Sequence, residues 1–127
     1  MSKLSDFDLD LSFGQEGESL VQELLTGGHT VEVKRDRKWK STGNVYVETE
    51  CFYNRTNSWG PSGINVTKAD YWAFVLEEGI FFMPTDAVRY AVEQLGRYTE
   101  CNIPPNPSKG ILLTLTDLAR ALKEYKE

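Results

Sequence analysis

One histidine and two cysteines are all that this 127-residue chain offers of the side chains that bind zinc most readily. A structural zinc site takes about four such ligands, and Cys51, Cys101 and His29 lie far apart with no ligand spacing between them. The cysteines therefore read as small thiols of the interior. A lone histidine also leaves little room for a Ser-His-Asp or Cys-His triad. His29 follows Gly27-Gly28 and marks a turn into a strand. Nor is there any apolar run approaching 18 residues, so no segment is expected to span a membrane. The opening MSKLSDFDLD is acidic and polar, unlike a secretory or transit leader. These absences predict a cytoplasmic protein with no membrane partner. No internal repeat or composition break divides the chain. The expectation is a flexible acidic arm over residues 1–12 and a single domain over 13–127.

Net positive charge is also missing: the formal charge is −5 and the pI about 4.9. The charge is unevenly spread. Lys34 to Lys40, KRDRKWK, holds five cations against one anion, a local +4 that leaves the other 120 residues at −9. Such a patch can contact phosphates while the remaining surface stays acidic. Arg35, Arg37, Lys38 and Lys40 are the candidate phosphate contacts, and Trp39 among them suits stacking on a base.

That basic run sits inside His29 to Glu50, the stretch around which the chain reads as organised. Thr30-Val31-Glu32-Val33-Lys34 alternates in period two, and Val45-Tyr46-Val47-Glu48-Thr49-Glu50 alternates again. The pair predicts a β-hairpin with Thr42-Gly43-Asn44 as turn chemistry. Alternation puts Val31 and Val33 on a buried face, and Glu32, Lys34 and Asp36 opposite, beside Tyr46, Glu48 and Glu50. Carboxylates converging there would suit Mg²⁺, a hard cation, with a lysine nearby.

Before this stretch, Phe13 to Leu25 reads as a helix with Leu20, Val21, Leu24 and Leu25 as its apolar stripe and Glu18 in its first turn. After it, Cys51 to Ser62 reads as a polar loop, and Thr67 to Asp70 as a capped turn. The apolar runs Tyr71–Leu76 and Ile80–Met83 flank Glu77-Glu78-Gly79 as a hairpin through the core. Thr85 is the expected cap of a helix to Leu95 that turns Ala87, Val88, Ala91, Val92 and Leu95 inward. Tyr98 to Lys109, with three prolines, reads as a surface loop. Gly110 to Leu115 is a buried strand, and Thr116-Asp117 opens a last helix with Leu118 and Leu122 inside.

Gly17-Glu18 opening a helix, then VEVKRD, TGNVYVE and SGINVTKADYW, resembles the phage-type branch of the PD-(D/E)XK nuclease superfamily. The likeness covers roughly residues 13 to 83. It implies an α+β, restriction-endonuclease-like fold: a mixed central sheet flanked by helices. It further implies phosphodiester hydrolysis on DNA, branched or nicked DNA included, with Mg²⁺ or Mn²⁺, by an enzyme whose junction-cutting relatives tend to pair as homodimers. In one alignment Asp36 and Glu48 are the paired acids, Glu18 completes the metal site and Lys34 is the catalytic cation. Glu50 then stands where the family has lysine. In the other, Glu32-Val33-Lys34 is itself the Glu-x-Lys, which adds Glu32 to the metal candidates. The resemblance extends the DNA path to Thr42, Asn44, Ser62 and Lys68. A nuclease-fold module that binds nucleic acid or protein without chemistry is the alternative.

Overall fold

The computed structural model describes residues 15, 18–19, 21–36, 38–77, 79–104 and 106–127. The predicted arm, together with Gly17, Leu20 and Arg37, lies outside them. Helical residues 18–19 and 21–26 form α1. Then follow β1 (Val31–Arg35), α2 (Trp39–Thr42), β2 (Asn44–Tyr53) and β3 (Ser58–Pro61). A 3₁₀ turn, Gly63–Asn65, leads to β4 (Tyr71–Leu76), β5 (Gly79–Pro84) and α3 (Thr85–Gln94). The chain closes with β6 (Arg97–Cys101), β7 (Ser108–Thr114) and α4 (Leu115–Glu124). No helix among the described residues is long and apolar enough to cross a membrane.

The class is α+β, as expected, but the strands divide between two sheets. One is mixed, in the order β1-β4-β5; the other is antiparallel, in the order β3-β2-β7-β6. The expected β1–β2 hairpin does not form. β1 runs parallel to β4 instead, Val31 opposite Tyr71 and Arg35 opposite Val75. The reason lies in the connection. Residues 38–43 wind into α2, closed by Gly43 at φ 72° with its N–H donating to the Trp39 carbonyl. A helical turn there is too long for a tight hairpin. β4 is apolar on both faces, YWAFVL, which suits the middle of a sheet.

The faces of β1 are also reversed from expectation. Val31 and Val33 are exposed, whereas Glu32 and Lys34 are half-buried. The parallel register forces this, because Glu32 and Lys34 stand opposite Trp72 and Phe74, which belong to the core. Lys34 meets its apolar neighbour by setting Nζ 5.3 Å from the centre of the Trp72 ring.

The core fills the space between the sheets and under α3 and α4. Val45, Val47, Trp72, Phe74, Met83 and Leu113 come from strands, and Ala87, Val88, Ala91, Leu118 and Ala121 from helices. The β4–β5 hairpin, α3, β7 and α4 stand where apolar periodicity put them. Several details differ. Thr85 is the first helical residue, not a side-chain cap, and its hydroxyl donates to the Ala69 carbonyl at 2.6 Å. Leu122 is exposed, because the inward stripe of α4 runs through Leu118 and Ala121. Thr114 caps α4 in a reciprocal box with Asp117. The expected loop over 98–109 contains β6, which lies upstream of the prolines, antiparallel to β7. The loop expected at 51–62 is a hairpin: β2 continues to Tyr53 and pairs with β3. Thr67 to Asp70 forms no helical turn: Thr67 Oγ1 accepts from Ala69 N–H at 3.3 Å, and Asp70 clasps Thr30 at the head of β1.

Candidate active-site cleft

Where β1 passes β2 without pairing, a cleft of about 510 Å³ remains. Glu32 and Lys34 of β1, Glu48 of β2, and Gly63, Thr67 and Lys68 are among the residues that line it. Glu32, Lys34 and Glu48 each have a local cause for being there. The parallel register with β4 turns Glu32 and Lys34 to the inner side of their sheet. Their side chains pair at 3.3 Å, each 41 % exposed.

Glu48 is positioned by an irregularity. The β2–β7 ladder slips between Glu48 and Glu50, a bulge at Thr49. Bulges bend a strand and re-aim its side chains. The segment after β3 fastens this one: Ser62 N–H and Asn65 Nδ2 both donate to the Thr49 carbonyl, each at 3.0 Å. Gly63 then packs directly on the Glu48 backbone, at φ 53°, where an added Cβ would overlap the Glu48 carbonyl oxygen. Behind Glu48, Tyr46 bonds Ser108 at 2.8 Å. Burial holds the Tyr46 phenol above its ordinary pKa, the Ser108 bond works against that, and the negative charge of Glu48 adds to the rise.

The cleft thus gathers three of the residues expected at a catalytic centre, Glu32, Lys34 and Glu48, and adds Lys68. It does not gather the rest. Asp36 serves the backbone: Oδ1 accepts from Lys38 N–H at 2.8 Å and Oδ2 from Tyr46 N–H at 2.9 Å. That carboxylate therefore clamps the start of α2 to the start of β2. Glu18 lines a separate apolar hollow on α1, with Val21, Gln22 and Leu25. Among the described residues no group of three His, Cys, Asp or Glu side chains comes together as a metal cage.

The basic run is only partly free. Arg35 and Lys38 are exposed. Lys40 pairs with Glu77 at 3.3 Å. Trp39 packs half-buried against the core. Thr42 and Asn44 are occupied locally: Thr42 Oγ1 donates to the Lys38 carbonyl, and Asn44 Oδ1 accepts from Arg97. Ser62 is buried, its hydroxyl without a partner among the described residues.

Gly63 and Thr67 were not singled out as site residues from the sequence. For Gly63 the sequence offers turn chemistry in Gly60-Pro61-Ser62-Gly63, where glycine can take positive φ, but not what that turn packs against. Comparison with family models, curated proteins and solved structures gives no match.

Proposed function

We propose that this chain is a metal-dependent nuclease that hydrolyses phosphodiester bonds of DNA in the cleft between β1 and β2. The observation that carries the reading is the sharing of one cleft by Glu32, Glu48, Lys34 and Lys68. The sequence resemblance to PD-(D/E)XK nucleases supports it, and the restriction-endonuclease-like fold belongs to the same proposal.

The donor set fits Mg²⁺ or Mn²⁺ of the kind completed by substrate. Mg²⁺ is commonly held by one or two carboxylates, with phosphate and water filling the other positions. Glu32 and Glu48 would be those two carboxylates, one from each sheet. When bound, the metal would polarise the scissile phosphate and acidify the attacking water.

The remaining work falls to the chain's own groups. Lys34, fixed between Glu32 and the Trp72 ring, is pre-oriented to stabilise negative charge as it builds on the phosphate. Lys68, exposed at the same cleft, anchors a neighbouring phosphate. Asp36 acts as a scaffold that fixes how β2 leaves α2. Arg35 and Lys38 extend the phosphate path beyond the cleft.

Supercoiled, linear, single-stranded and four-way-junction DNA, each with Mg²⁺, Mn²⁺ or EDTA, test the proposal. Cleavage is expected only with metal. Lys34→Met should lower the rate by about 10²-fold or more, as for loss of one group aimed at developing charge. A second reading, a binding module without chemistry, draws on the absence of a third carboxylate among the described residues. DNA binding without cleavage under every metal condition would favour it.

A further inference from the structure

The β2–β3 hairpin carries an aromatic surface that the cleft does not use. Phe52 and Trp59 are partners across its two strands, with ring centres 5.8 Å apart and planes at 73°. Trp59 is 42 % exposed. From β7, Lys109 brings Nζ to 4.3 Å from the Trp59 ring centre. Lys109 stands between Glu50 and Glu100 in the strand register. Even so, no ion pair among the described residues includes it, and its ammonium lies over the indole instead.

Charge sets this part of the molecule apart. From Cys51 to Ala69 the chain carries Arg55 and Lys68 and not one Asp or Glu, within a protein of net charge −5. That acid-free stretch forms the turn end of the hairpin, past Glu50 at its base, and then continues to Val66–Ala69 on the cleft wall.

We propose that the hairpin is a stacking platform for an unstacked base of a single-stranded nucleic acid, with Trp59 as the platform and Lys109 and Arg55 on the adjacent phosphates. A base offers its π-face to an indole whatever its sequence, and such stacking is sequence-tolerant. Bases inside a duplex are stacked on one another and offer no free face. The platform therefore selects single strands. Glu50 and Glu100 repel phosphates on the sheet side of Lys109, so the backbone passes on the side of the hairpin turn, where Arg55 lies. The ammonium need move little, since a phosphate follows directly on the base that takes its place over the ring.

Binding of labelled dT15, rU15 and a 15-base-pair duplex is measured by anisotropy in EDTA, so that the result is independent of cleavage. Trp59→Ala should weaken binding of both single strands about 5- to 150-fold and leave the duplex nearly unchanged. Trp59→Phe should keep most of the affinity. Trp59→Leu, which preserves apolar bulk, should lose it like alanine, and so guards against a folding defect in Trp59→Ala. Lys109→Ala should reduce the log–log salt slope for dT15 by about 0.7. Unchanged single-strand affinity in folded Trp59→Leu would overturn the proposal. So would equal losses for single strand and duplex, or no single-strand binding by the unaltered protein. Cleavage that fails while this pattern holds would count against the cleft alone.

Discussion

At the scale of single residues, two positions fasten the backbone of β2 beside the cleft. Gly63 is held at φ 53° with the Glu48 carbonyl directly against its Cα. Gly63→Ala combines a strained backbone with a steric overlap, and should cost on the order of 1–3 kcal/mol, measurable by urea unfolding. A substitution without effect would mean that the turn does not rest on β2. Asp36 accepts two backbone N–H groups. Asp36→Ala leaves both without that acceptor and should destabilise by about 1–3 kcal/mol. Neither role was legible beforehand. Period-two alternation says which face a residue shares, but a carboxylate's hydrogen bonds depend on where the chain returns. Asp36 reads as a ligand in sequence for the same reason that it serves as a clamp: it is a short acid at a strand end. Period two groups Glu32 with Lys34 on one face of β1, but it does not say that this face, and not the valine face, turns inward.

At the scale of elements, the parts with strong apolar periodicity were the readable ones. β4 and β5, α3, β7 and α4 carry the buried side chains themselves. The choice of partner for β1 was not readable, since α2 is a four-residue helix built from Trp, Lys, Ser and Thr. β6, RYTEC, has one large apolar residue, Tyr98, which is 60 % exposed, so it gives no core signal. Thr114 and Asp117 satisfy each other's backbone N–H at the start of α4, at 3.0 and 2.9 Å. Thr114→Ala should therefore lower stability by about 0.5–2 kcal/mol. At the other end of α4, Glu124 accepts from Arg120 Nε and from the Tyr90 hydroxyl of α3, both at 2.8 Å. First the Arg120 bond and then the Tyr90 bond hold the Glu124 carboxyl below its ordinary pKa. A depressed folded-state pKa contributes stability above the unfolded value and loses it as pH falls through the folded value. Glu124→Gln should accordingly be less stable than the unaltered protein at neutral pH. The gap should close as the pH drops below the carboxylate range. A pH-independent gap in urea midpoints would show that packing, and not the ionised carboxylate, joins α3 to α4.

At the scale of the whole molecule, a cleft exists because the strands do not close into one sheet. β1 belongs to one sheet and β2 to the other, and the side chains between them are charged where a continuous sheet would have paired backbone. On the proposed reading, a net charge of −5 works against a polyanionic partner at long range, and Lys68 in the cleft with Arg35 and Lys38 beyond it supplies the phosphate contacts. Binding should therefore weaken steeply with salt, as retained phosphate contacts each add about 0.9 to the log–log slope on duplex DNA. The central claim is that phosphodiester chemistry resides with Glu48 in the cleft, while Asp36 serves the scaffold. The most direct test compares Glu48→Gln with Asp36→Asn in one metal-dependent cleavage assay, with thermal melts of both. Glu48→Gln should melt like the unaltered protein and cut nothing, whereas Asp36→Asn should melt lower yet keep its cleavage rate per folded molecule. Cleavage surviving in Glu48→Gln, or lost in Asp36→Asn at full folding, would contradict the account.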